Sequence, residues 1–352
     1  MLSKPGFRLG LCATCLALLV VLLGAYTRLT HAGLGCPDWP GCYGFISVPQ
    51  TAEQLAHAEQ HYPQAPVEAH KGWNEMVHRY FAGSLGLLIL TLALYALRRR
   101  GESGQPLKLP FLLLALVILQ AAFGMWTVTL KLWPQVVTAH LLGGFATLSL
   151  LLLLTLRLSG RWPVLPALPR RLRALAALGL LLVIGQIALG GWVSSNYAAV
   201  ACIDLPTCHG QWWPAMDFAN GFHLTQHIGP NYLGGQLDND ARTAIHMSHR
   251  AGAVLVTLVL VLLAWQLRRH AQPRLAALLL LALAGQISLG ISNVLLHLPL
   301  AVAVAHNLGG AFLLLTLVAI NYRLRSSSGA AIAAPSAHRS QDPTRSAQLP
   351  FT

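Results

Sequence analysis

Long apolar runs, nearly free of charge and separated by short polar stretches, set the pattern of this chain. Eight occur, at roughly 9–27, 76–97, 109–130, 134–156, 174–195, 245–266, 274–295 and 299–320. Buried strands are short, about four to eight residues, whereas crossing a bilayer as a helix takes about 20. Each run therefore predicts a transmembrane helix, and the expected fold class is an all-α polytopic membrane protein. The long polar segment at 45–72 also predicts a short amphipathic helix near Ala52–Tyr62.

Composition agrees: 55% of residues are hydrophobic and 10% charged, which excludes the two soluble domains that 352 residues would otherwise allow. The formal charge of +13 does not point to nucleic acid, because the basic residues sit in short loops rather than on a stripe with interleaved aromatics. Their distribution orients the chain. With the N-terminus in the cytoplasm, 18 of the 24 Lys and Arg residues fall inside, and nine of the eleven carboxylates fall outside. Both termini are then expected in the cytoplasm. The first run, following Lys4 and Arg8, reads as a span rather than a cleaved signal, since it lacks a small-residue cleavage site and has a counterpart mid-chain. No long Arg/Ser-rich presequence for mitochondrial targeting precedes it. From Ser326 onward the Ser-, Ala-, Pro- and Gln-rich sequence predicts a disordered tail.

The chain repeats itself. Cys36-Pro-Asp38-Trp-Pro40-Gly-Cys42-Tyr-Gly44 returns 166 residues later as Cys202-Ile-Asp204-Leu-Pro206-Thr-Cys208-His-Gly210. Gln120 with Gly124 returns as Gln286 with Gly290, and His140-Leu-Leu-Gly-Gly as His306-Asn-Leu-Gly-Gly, at the same offset. His78-Arg79 returns as His249-Arg250, offset by 171. The expected organisation is a four-helix half at 1–160, a second at 161–325 and the tail at 326–352. An even number of spans per half makes these parallel repeats, related by a pseudo-twofold along the membrane normal, and weakens a transporter reading. A transporter also predicts a polar midplane site, where the sequence offers little beyond Gln120, Gln186 and Gln286.

Four of the 15 histidines stand apart. His78 and His249 lie just inside the outer ends of their spans; His140 and His306 lie about six residues in, or about 9 Å at 1.5 Å per residue. Ionisable side chains at that depth are costly and are functional candidates. A single one reads most simply as a packing histidine bonded to a carbonyl. Two pairs at matched depth instead suit six-coordinate heme iron held between helices. Zinc is less apt, since no thiolate or carboxylate stands beside the pair. Arg79 and Arg250 are candidates for heme propionate contacts, with lipid headgroups the alternative. Glu75, three residues before His78, has His246 as its counterpart, so only the first half keeps a carboxylate there. That group is a candidate proton acceptor, or a helix N-terminal Glu favoured by the dipole. Cys36/Cys42 and Cys202/Cys208 read as disulfides in outer loops, structural or redox-labile, with metal binding the other option. Cys12 and Cys15 read as inert packing residues within the first span.

Together, the Thr27-to-Gly44 stretch with its Cys pair, Glu75-x-x-His78-Arg79, His140-Leu-Leu-Gly-Gly, Ile245-His-Met-Ser-His-Arg250 and His306-Asn-Leu-Gly-Gly310 resemble the heme A synthases, across roughly residues 9–322. The form resembled is the bacterial one with cysteines in both halves. The resemblance implies a bacterial inner-membrane oxidoreductase that converts the C8 methyl of heme O to a formyl group, giving heme A for cytochrome c oxidase. It implies that His249 and His306 hold a heme b cofactor. It also implies that His78 and His140 face the heme O substrate, that Glu75 is the essential carboxylate and that Cys36–Cys42 is a disulfide. Membrane lipid surrounds such a protein, and heme O synthase and an electron acceptor are candidate partners. The competing class is a diheme electron carrier, but both histidine pairs lie near one face, whereas transmembrane electron transfer calls for different depths.

Overall fold

The computed structural model describes residues 4–102, 104–160 and 168–332. Among them are ten α-helices: α1 (Phe7–Leu29), α2 (Ala52–His61), α3 (Ala69–Arg98), α4 (Lys108–Thr129), α5 (Pro134–Ser159), α6 (Arg170–Ser195), α7 (Phe218–Gly221), α8 (Asn239–Arg269), α9 (Pro273–Leu295) and α10 (Leu300–Ile332). A 3₁₀ turn follows α6 at Ala198–Val200. All of these except α2, α7 and the 3₁₀ turn are long and apolar enough to cross a membrane. The chain is a multi-pass membrane protein. The outward faces of these helices carry large aliphatic side chains; Leu87, Leu181 and Leu281 are 68%, 65% and 73% exposed. A water-soluble bundle would bury such residues, so hydrocarbon is the solvent that suits this surface.

The helices close into two rings of four. In one, α1 and α4 each pack on both α3 and α5; in the other, α6 and α9 each pack on both α8 and α10. Contacts of α5 with α6, α1 with α10, and α5 with α10 join the rings. Ile89, Leu148 and Leu151 fill the first, Leu260, Leu263 and Leu317 the second, within one continuous apolar core.

Local sequence explains where elements begin and end. Pro134 and Pro273 stand in the first turn of α5 and α9, where a missing N–H costs nothing. The amphipathic α2 forms as expected, with Thr51 and Gln54 in a reciprocal capping box. Helices α3 and α8 start several residues before their apolar runs, and the Asp238 carboxylate caps α8 by accepting from Ala241 N at 2.9 Å. Hydropathy does not register these polar leading segments; Glu75 stands one residue before its apolar run, and His246 lies at the very start of its own. Helix α10 continues to Ile332, into the stretch expected to lack order; residues 333–352 lie outside the described residues. Cys12 and Cys15 are free and exposed on α1, so they face outward and do not pack in the bundle as expected. The apolar run that holds them is uniform, and its inward face is decided only by packing.

Backbone detail recurs between the halves. His31 and Tyr197, Tyr43 and His209, Lys131 and His297, and Leu132 and Leu298 all have positive φ, at one common spacing. Both disulfides form, Cys36–Cys42 with Cα atoms 4.8 Å apart and Cys202–Cys208 with 5.0 Å.

Candidate functional site

The motif Cys-x-Asp-x-Pro-x-Cys-x-Gly folds as a loop organised by its aspartate. The Asp38 carboxylate accepts from Tyr43 N at 2.6 Å and Gly44 N at 2.8 Å. Asp204 accepts from His209 N at 2.7 Å, Gly210 N at 3.0 Å and the Thr207 hydroxyl at 2.6 Å. The Thr207 hydroxyl, then the loop amides, hold the Asp204 carboxyl at a pKa of about 2. The residues donating to each aspartate, Tyr43-Gly44 and His209-Gly210, lie in left-handed backbone, which glycine adopts without steric cost.

Below these loops the four histidines take equivalent places. His78 on α3 and His140 on α5 stand on diagonal helices of the first ring, and His249 on α8 and His306 on α10 on diagonal helices of the second. The imidazoles within each half lie close enough to interact electrostatically. Each ring also faces a glycine on an adjacent helix. A methyl built on Gly24 would sit 2.9 Å from Cε1 of His78; on Gly124, 3.5 Å from that of His140; on Gly190, 3.2 Å from that of His249; on Gly290, 3.1 Å from that of His306. At Gly24, Gly190 and Gly290 a methyl would crowd the ring, whereas at Gly124 it would meet ordinary contact. Nδ1 of His78, His140 and His306 is buried with no hydrogen-bond partner.

This donor set fits heme. Two imidazoles on diagonal helices would suffice to hold a heme iron, since the porphyrin itself would bring the remaining donors. A protein-built zinc site needs about four donors. Among the described residues no group of three or more His, Cys, Asp or Glu is placed to hold a metal ion.

Two glutamines join the histidines of the second half, and a third stands against α5 of the first. Gln186 Nε2 donates to the His249 carbonyl at 2.9 Å and lies 3.0 Å from Nδ1 of the same ring. Gln286 Nε2 lies 3.4 Å from His306 Nε2, and the Gln120 side chain lies against Gly143 on α5. In the sequence these three are the few polar groups near the midplane. The recurrence of Gln120 at Gln286 was the signal that placed them with the histidines; Gln186, whose counterpart is Val20, carried no such mark.

Glu75 is 4% exposed and tied to the first disulfide loop. Its Oε2 accepts the Cys36 backbone N–H at 3.0 Å, and its Oε1 pairs with Arg79 Nη2 at 2.5 Å. The other end of the Arg79 guanidinium donates to the carbonyls of Asp38 at 3.0 Å, Pro40 at 3.2 Å and Gly41. Gly35 makes this approach possible, since a methyl there would meet the Lys71 carbonyl carbon at 2.5 Å. In the second half Arg250 holds its loop in the same way, through the carbonyls of Thr207 at 2.9 Å, Cys202 at 3.2 Å and Asp204 at 2.9 Å. His246 replaces the carboxylate, and its Nδ1 lies 2.9 Å from the Ala198 carbonyl. Both arginines, expected at propionates, thus use donors on loop carbonyls. Glu75 and Arg79 thus converge on the first disulfide loop, whereas in the second half Arg250 alone reaches the disulfide loop and His246 holds the 3₁₀ turn before it.

Comparison with known proteins gives the same grouping. Residues 7–318 match the COX15-CtaA family, described as cytochrome oxidase assembly protein. A protein of Shewanella oneidensis named heme A synthase is 51% identical over 309 residues, 87% of this chain and 93% of its own. Another of that name, from Methylobacterium radiotolerans, is 34% identical over 339 residues, 89% of this chain and 88% of its own. A third, from Halalkalibacterium halodurans, is 27% identical over 318 residues, covering 86% and 92%. With the motif positions, the fold and these matches in agreement over nearly the whole chain, the protein belongs to the COX15-CtaA family of cytochrome oxidase assembly proteins.

Proposed function

We propose that this chain is a heme A synthase, an oxidoreductase that converts the C8 methyl group of heme O to a formyl group. The observation that carries the reading is the asymmetric duplication: two pairs of imidazoles on diagonal helices, only one of them beside a buried carboxylate. The family match over residues 7–318 and the relatives' shared name support it. In this reading the halves 1–160 and 161–325 are parallel repeats, and the disulfide loops lie on the periplasmic side of a bacterial inner membrane with both termini in the cytoplasm. Heme O synthase would supply the substrate, and the electrons would leave to a separate acceptor.

His249 and His306 hold the resident heme b, and Gln186 and Gln286 orient their rings. A heme bound there would supply one-electron transfer, with His249 and His306 as the residues that would hold it. His78 and His140 face the heme O substrate. Glu75 takes the proton released as the methyl C–H is oxidised, and Arg79 and the Cys36 N–H fix which way its oxygens point. Arg79 and Arg250 hold the loops that close over the sites and stand where propionates would emerge.

The test is pyridine-hemochrome analysis of purified wild type, His78→Ala, His306→Ala and Glu75→Ala proteins. His306→Ala should lose the resident heme b spectrum, and His78→Ala should keep it. Glu75→Ala should keep heme b while heme O or a hydroxylated intermediate accumulates. Full heme A output from Glu75→Ala would remove the carboxylate from the mechanism, and a wild type without a Soret band would end the reading.

A further inference from the structure

We infer that Arg28, on the seam between the two rings, is the cation that neutralises heme propionate charge where the two sites meet. This rests on the heme reading above. Helix α1 carries Gly24, which faces His78, and α6 carries Gly190, which faces His249. Arg28 and Ser194 each stand four residues further on, about one turn nearer the disulfide loops. The guanidinium joins them: Nη2 donates to the Ser194 carbonyl at 2.5 Å, and Nη1 to the Tyr197 hydroxyl at 2.7 Å. Arg28 and Ser194 are separated by 166 residues, the repeat offset, and so are His31 and Tyr197, whose rings stack at 5.6 Å. Residues here touch their own counterparts in the other half, so the seam adjoins both histidine pairs.

The Arg28 guanidinium lies over the Tyr197 ring, 4.2 Å from its centroid, but among the described residues it has no carboxylate partner. Among the described residues the ion pairs are Lys71–Glu68, Arg79–Glu75 and Arg99–Glu102, and none includes Arg28. A guanidinium has five N–H donors. Arg28 uses two on the Ser194 carbonyl and the Tyr197 hydroxyl, and its Nε is buried with no partner. His31, just past the end of α1, is pushed below its usual pKa by burial, and further by the charges of Arg28 and Lys71. Two cations, Arg28 and Lys71, thus lie near the His31 ring that stacks on Tyr197. A partly buried cation with spare donors and no anion is costly, and a carboxylate offsets that cost. Propionates are the carboxylates that a heme would bring, and Arg28, at the loop end of the seam, would receive them there. The second half has Ser194 at the corresponding position, so a single guanidinium serves the junction.

The experiment compares full-length wild type with Arg28→Gln and Arg28→Lys, each loaded with heme b or with its dimethyl ester, which lacks propionate charge. Readouts are the rate of heme loss to apomyoglobin and the reduction midpoint. Arg28→Gln should release heme b at least about tenfold faster, as loss of a buried charge partner does elsewhere. Its midpoint should fall, because a cation that favours the reduced heme is gone, and Arg28→Lys should lie between. With the diester, wild type and both variants should release at the same rate. Equal release of heme b by wild type and variants overturns the inference. So does a gap that persists undiminished with the diester, which assigns Arg28 to seam packing alone. Should the Gln variant fail to fold, the Lys variant decides by the same two comparisons. A wild type that retains neither heme overturns the heme reading itself.

Discussion

The two rings share one design and differ where chemistry would differ. In both, an arginine one residue after the first histidine clasps a disulfide loop, and a glycine makes room for each imidazole. In the first ring that arginine also holds Glu75, whose second oxygen takes the Cys36 amide. In the second, His246 takes the Ala198 carbonyl and Gln186 braces His249, while the first ring has Val20 in place of the glutamine. One pair of histidines is braced by amides, as suits a permanent ligand. The other stands beside a buried carboxylate, the proton acceptor of the proposed reading.

Moving the carboxylate is the strongest way to break this comparison. Glu75→His, which makes the first ring resemble the second, should lower heme A output by about 10²-fold or more, the usual contribution of a positioned proton acceptor. His246→Glu in the same chain should not restore it, because the substrate pair remains in the first ring. Heme extraction from membranes followed by chromatography checks both. Recovery in the double variant would mean that the halves are interchangeable.

Next come the two arginines. Arg79→Gln leaves Glu75 buried without its ion-pair partner and frees the Cys36–Cys42 loop, which should destabilise that region by about 3 kcal/mol and reduce turnover. Arg250→Gln removes only hydrogen bonds to loop carbonyls, so a loss of about 1.5 kcal/mol is expected, with turnover less affected. Thermal unfolding in detergent, read beside heme A yield, separates them. Equal yield losses would show that the Glu75 pairing adds nothing.

Glycine substitutions sharpen the picture further. Gly24→Ala would press a methyl to 2.9 Å from His78 and should displace the ring at about 1–3 kcal/mol, whereas Gly124→Ala, at 3.5 Å from His140, is ordinary contact and should be nearly neutral. Melting temperatures test the order, and a reversed order would refute the close approach at Gly24.

The smallest effect is in pH. The folded carboxyl of Asp204, at about 2, lies below the ordinary aspartate value near 3.9. A depressed folded pKa means that its contribution is fully present above about pH 4 and is lost as pH falls toward 2. The Cys202–Cys208 loop should thus keep its protease resistance at pH 5 and lose it near pH 2. A transition near pH 6 would point to another group.

The amino-acid sequence alone determined the eight spans, the repeat, both cysteine pairs and the four histidines, because each signal is local or repeats at a fixed spacing. A run of about 20 apolar residues has no other stable use in a bilayer. Position in the chain also determined that a carboxylate precedes His78 while an imidazole precedes His249. Only the tertiary structure decided which side chains meet. That α3 and α5 are diagonal, that Gln186 reaches His249, that Arg79 turns to the loop and to Glu75, and that Arg28 lies on the seam all depend on how helices rotate and pack. A uniformly apolar helix has no polar stripe to announce its inner face, so Cys12 and Cys15 were as compatible with packing as with the exposure they have. Long donors such as arginine and glutamine choose partners by distance in space, which spacing along the chain does not encode.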